Sequence, residues 1–165
     1  MISVDVPVGL SKSERYRFIS ARLEALAAGE SDALANLCNF SAFLFHTLGD
    51  VNWVGVYVLR GGELVLGPFA GKPACTRIAL GNGVCGTAAA CGKPQLVPDV
   101  HVFPGHIACD GASNSEIVIP LYAGGELWGV LDLDSPVLGR FDETDLAGLM
   151  PIAERYGTLA EKLSL

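Results

Sequence analysis

Apolar and polar positions change period along this chain, and the changes mark its elements. Tyr16, Ile19, Leu23 and Leu26 recur at helical spacing, and Gly29 ends that run. Ser31 or Asp32 can cap a second helix, with Leu34, Leu37, Ser41, Leu44 and Leu48 on one stripe and Gly49 as terminator. The period then becomes two. From Asn52 to Leu59, Trp53, Gly55, Tyr57 and Leu59 take one face, and Val54, Val56 and Val58 the other. Arg60-Gly61-Gly62 turns the chain into a short strand, Glu63 to Leu66, and another strand is expected at Thr76 to Leu80.

Gly81-Asn82-Gly83 breaks the pattern before a small helix, Val84 to Cys91, closed by Gly92. Gln95 to Val97 reads as a strand. His101 to Ser115 has no period, and loops of that length inside a domain are usually functional or mobile. Ile117 to Tyr122 and Leu127 to Leu133 read as a hairpin joined at Ala123-Gly124-Gly125-Glu126. Asp142 caps a final helix, with Glu143 and Asp145 suited to its dipole and Pro151 predicting a kink or restart. The elements describe an α+β domain over residues 1–165, with 1–13 as an N-terminal tail.

Composition narrows the classes. At 165 residues, half of them apolar, the chain can bury a core without metal or disulfide support. No apolar run reaches the ~20 residues of a membrane span, and no signal peptide is visible, so a cytoplasmic protein is expected. A net charge of −7 argues against nucleic acid. Five cysteines in a reducing compartment are filler, metal ligands or redox groups, and no CxxC pair supports zinc.

Cys109 lies in the long loop among small residues, where a lowered thiol pKa would make it a nucleophile. Cys75 and Cys85 bracket the strand before the glycine break, and either can resolve a sulfenic acid on Cys109. Cys85 also opens a helix, whose dipole favours a thiolate. Cys38 is expected in the core and Cys91 to be inert. In Leu131-Asp132-Leu133-Asp134, alternation sends both aspartates to one face. Such a pair repels unless a cation lies between them or one is protonated. Glu116 joins them if the two strands pair as a hairpin, and the trio can hold an ammonium group or donate a proton. Trp53 and Tyr57 can box an apolar sulfur-bearing group. His101 and His106 are candidate acid–base partners.

Trp53-Val54-Gly55-Val56-Tyr57, Leu66-Gly67-Pro68-Phe69, Gly83-Val84-Cys85-Gly86-Thr87-Ala88, His106-Ile107-Ala108-Cys109-Asp110, Ser113-Asn114-Ser115-Glu116-Ile117 and Gly129 to Ser135 together resemble the free methionine-(R)-sulfoxide reductases, stand-alone GAF-domain enzymes of oxidative stress repair. The likeness runs from about residue 14 to residue 160. It implies a central antiparallel sheet of about six strands with helices packed on it. It further implies Cys109 as attacking cysteine, Cys75 as main resolving thiol and Cys85 as a third participant. Glu116, Asp132 and Asp134 would line the substrate pocket, with Trp53 at the methyl–sulfur end. Of the three acids, Asp134 is our candidate to hold the substrate ammonium. Thioredoxin is the implied reductant, no flavin, nicotinamide or metal is required, and a homodimer is compatible. Two other readings remain at this point: a GAF-type sensor that binds a small molecule without turnover, and a zinc-binding structural domain.

Overall fold

The computed structural model describes residues 3–107 and 111–163. Two helices open it, α1 (Lys12–Ala27) and α2 (Ala33–Thr47). Strands β1 (Trp53–Arg60), β2 (Glu63–Gly71) and β3 (Arg77–Ala79) precede a short helix, α3 (Gly83–Cys91). Then come β4 (Gln95–Val97), a 3-10 turn (Val100–Val102), β5 (Ser115–Ala123), β6 (Glu126–Ser135) and α4 (Glu143–Ala160). The strands form one six-stranded sheet in the order β3-β2-β1-β6-β5-β4, every pair antiparallel. That is the α+β architecture the residue pattern and the family resemblance predict. Among the described residues no helix is long and apolar enough to cross a membrane.

The sheet separates two cores. Val54, Val56, Ile117, Ile119, Leu131 and Leu133 point to one face and pack against α1, α2 and α4. Trp53, Tyr57, Val118 and Val130 point to the other, where Val84, Cys85 and Ala88 of α3 cover them. The period-two alternation of β1 and β6 assigns these faces because successive side chains leave a strand on opposite sides.

Several local expectations change. The helix α1 begins inside the expected tail, because Ser11 and Glu14 form a reciprocal capping box. On α2 the buried stripe runs through Ala33, Leu37, Phe40, Leu44 and Thr47. Leu34 and Cys38 lie off that stripe and are exposed, so Cys38 is not a core residue. Strand β2 runs on past Leu66 to Gly71, through Pro68, because the register shifts between Gly55 and Tyr57 and accommodates a residue without an N–H. Helix α4 passes through Pro151 without a break, the proline lying on its exposed side.

Candidate functional site

The pocket forms on the α3 face, where three strands contribute neighbouring side chains. Trp53 on β1 pairs with Asp134 on β6, and Asp134 pairs with Glu116 on β5. One step along, Gly55 pairs with Asp132 and Asp132 with Val118. Directly opposed residues share a sheet face, so Trp53, Glu116, Asp132 and Asp134 all meet below α3. With Tyr57, Cys85, His106, Ile107 and Ser113 they line one cavity.

Glycine makes the aromatic wall possible. A Cβ at Gly55 would collide with the Trp53 indole and with Phe69 Cβ. Its absence lets the indole lie across β1, stacked on Phe69 at 5.5 Å and on Tyr57 at 5.8 Å. Trp53 Nε1 donates to the Lys72 carbonyl at 3.1 Å, and the Tyr57 hydroxyl donates to the Cys75 carbonyl at 3.0 Å. The wall is thereby tied to the segment that carries Cys75. Phe69 completes this wall, and in the sequence only its place in Leu66-Gly67-Pro68-Phe69 marks it. At Gly86 a Cβ would strike the Ala79 carbonyl, so this glycine lets α3 press against the end of β3 and fixes the height of Cys85.

The acidic groups are buried, with Glu116 and Asp132 each 6% exposed. Burial, then the charges of Asp132 and Asp134, push the Glu116 carboxyl well above the ordinary carboxylate range. Burial pushes Asp132 up to about 7, against hydrogen bonds from Cys85 and Glu116 that pull it down. The pair therefore holds a proton near neutrality. Asp132 Oδ1 is buried without a hydrogen-bond partner.

Cys85 departs from its expectation. Its position in the first turn of α3 favours a thiolate, but burial and the adjacent Asp132 and Glu116 hold its thiol well above the usual range. Its Sγ donates to Glu116 Oε1 at 3.9 Å. Neighbouring carboxylates and desolvation outweigh one helix end, whose effect is on the order of 1 kcal/mol. Cys85, Cys38 and Cys91 are free thiols, whereas Cys75 is disulfide-bonded. Cys109 lies outside the described residues.

The two histidines separate. His106 lines the pocket with Nε2 3.9 Å from Glu116 Oε2, and burial first, then His101, lowers its pKa. His101 is exposed and engaged with Asn114 Oδ1 at 2.9 Å, away from the acidic trio. The Ser113-Asn114-Ser115 run ties the end of the loop to the sheet. Asn52 donates to Ser113 Oγ at 3.1 Å, Asn114 to the Pro136 carbonyl at 2.7 Å, and Ser115 to the Val137 carbonyl at 2.6 Å. Ser113 and Ile107 also face the cavity, a placement the aperiodic loop sequence did not reveal.

An aromatic wall opposite carboxyl groups that retain a proton can bind a cationic, partly apolar molecule and protonate an oxygen on it. The GAF domain family matches residues 22–158. A protein named free methionine-R-sulfoxide reductase from Escherichia coli (strain K12) is 54% identical over 140 residues, 85% of this chain and 85% of that protein. Protein YtsP of Bacillus subtilis (strain 168) is 53% identical over 145 residues, 87% of this chain and 89% of its own. The X-ray structure of free methionine-R-sulfoxide reductase from Neisseria meningitidis, in complex with its substrate, superposes with a TM-score of 0.92 at 43% identity, covering 98% of this chain and 97% of that one. This chain belongs to the GAF-domain family and, within it, to the free methionine-R-sulfoxide reductases.

Proposed function

We propose that this chain reduces free L-methionine-(R)-sulfoxide to L-methionine, with Cys109 as nucleophile and a dithiol as electron source. The observation that carries the reading is the buried, proton-retaining pair Glu116 and Asp132 facing Trp53 across one sheet face. A sulfoxide oxygen leaves only when protonated or hydrogen-bonded, and this pair can do either.

In this mechanism the Cys109 thiolate attacks the sulfoxide sulfur while Glu116 or Asp132 protonates the oxygen. The protonated oxygen then passes from the substrate sulfur to the Cys109 sulfur as the transient S–S bond breaks, its electron pair returning to the methionine sulfur, so that methionine leaves and Cys109 becomes a sulfenic acid. The Cys75 thiol then attacks Cys109 sulfur, releasing water and forming a disulfide. Thioredoxin or another dithiol reduces that disulfide by exchange. Disulfide bonding at Cys75, with Cys38, Cys85 and Cys91 free, supports Cys75 as the resolving residue. Cys85 can enter the exchange but is the slower nucleophile while its thiol is held protonated. Asp134 takes the substrate ammonium beside Trp53 and Tyr57, which excludes peptide-bound methionine sulfoxide because it lacks that charge. The chemistry calls for no flavin, nicotinamide or metal, and it suits a cytoplasmic protein, where dithiol reductants are kept reduced.

The test is methionine release from free R, free S and peptide-bound sulfoxides, with dithiothreitol or a thioredoxin system. Only the free R form should react. Cys109→Ser should release none, and Cys75→Ser about one methionine per chain before stalling. Absence of any methionine from the free R form would instead favour a GAF sensor without turnover.

A further inference from the structure

The deep end of the pocket gathers a thiol and two carboxyl groups, and no lysine or arginine stands among its described lining residues. Cys85 Sγ and one carboxylate oxygen each from Glu116 and Asp132 lie within 4.8 Å of one another. We propose that this triad is a binding site for a zinc-class divalent ion, which occupies the pocket in place of substrate.

The geometry is close to that of a bound ion. Tetrahedral zinc, with sulfur at ~2.3 Å and oxygen at ~2.1 Å, sets these ligand atoms roughly 3.6 Å apart. Cys85 Sγ stands 3.9 Å from Glu116 Oε1, so small side-chain rotations bring the two to that spacing. One oxygen of the third ligand is already bare, since Asp132 is 6% exposed and its Oδ1 has no hydrogen-bond partner. The ligands come from α3, β5 and β6, so packed secondary structure rather than a loop sets their spacing.

Ligand chemistry selects the metal. A thiolate with two carboxylates suits zinc, or cobalt as its surrogate, whereas magnesium and calcium take six or more oxygens. Binding forms a Cys85–metal bond and releases the thiol proton, with any proton shared by the carboxyls, to solvent. Three protein ligands leave a fourth position open to the cavity, which His106 also lines. The ion therefore sits in the substrate pocket and ties up the two proton donors. That its occupancy blocks turnover rests on the reductase reading; that it binds does not.

The test uses the reduced Cys75→Ser/Cys109→Ser chain titrated with Co²⁺. A thiolate-to-cobalt charge-transfer band should saturate at one ion per chain and vanish on adding Zn²⁺. Cys85→Ser in that background should remove the band, and the near-isosteric Asp132→Asn should weaken binding at least ~10-fold. Circular dichroism verifies that each variant is folded. No band, or one unaffected by both substitutions, overturns the site. In the wild type, Zn²⁺ should inhibit competitively with methionine sulfoxide and be reversed by a chelator. Cobalt binding with unimpaired turnover would overturn the blocking role alone, and a chain inactive on sulfoxide would still be decided by the cobalt band.

Discussion

Two buried carboxylate sites in this molecule have opposite electrostatics. Asp145, fully buried in the first turn of α4, accepts from Lys12 Nζ at 2.8 Å, Tyr16 hydroxyl at 2.8 Å, Arg140 at 3.1 Å and the Asp142 N–H at 2.8 Å. Asp132 is almost as deeply buried, yet one oxygen has no partner and its described neighbours in the pocket are an acid and a neutral thiol. At the first site two cations and a tyrosine complete the charge, and the result is a clamp between α1 and α4. At the second the charge is left incomplete, and the result is a place for a cation from outside. Burial alone therefore does not mark a functional carboxylate; burial without a compensating partner does.

Removing each carboxylate tests that contrast. Asp145→Ala strands Lys12 and Arg140 and should cost ~3–5 kcal/mol in urea unfolding. Asp132→Asn removes no cation's partner, so its unfolding midpoint should stay equal or rise, while kcat/KM for the sulfoxide falls on the order of 10²-fold or more. The contrast breaks if both substitutions destabilise equally.

The pH dependence sharpens it by sign. Asp132 is raised from 3.8 to about 7, so the folded state holds its proton more tightly than the unfolded chain does. Its contribution to stability is complete below the unfolded value and is lost as pH rises through about 7. Asp142, beside Lys12 at the cap of α4, is lowered to about 2, chiefly by its hydrogen bond with Lys12. Its contribution is present above the ordinary value and is lost as pH falls through about 2. Unfolding midpoints measured from about pH 4 to about pH 8 should fall with rising pH, and Asp132→Asn should flatten part of that slope. An Asp142→Asn variant should leave the same slope unchanged, because Asp142 stays ionised throughout that window. A smaller effect is expected at Gly55. Gly55→Ala should displace the Trp53 indole, costing about 1–3 kcal/mol and raising KM more than it lowers kcat.

Much of this was legible along the chain. The alternation in Leu131-Asp132-Leu133-Asp134 and in β1 predicts which residues face the pocket, and the glycine turns predict the hairpin that places Glu116 beside Asp134. The thiol of Cys85 was not legible in the same way. Its place at the start of a helix is a local fact, whereas the carboxylates that hold its proton come from strands 31 and 47 residues further along. Pro151 likewise reads locally as a kink or restart, and α4 runs through it.

The sequence by itself determined the periodicity of each element, and with it the two faces of the sheet and the side on which the acids and aromatics meet. These follow from backbone geometry, which acts within a few residues. Only the tertiary structure decided which carboxylates are compensated, which thiol stays protonated and which histidine faces the cavity. Desolvation and charge pairing depend on distances across strands and helices that no local pattern encodes.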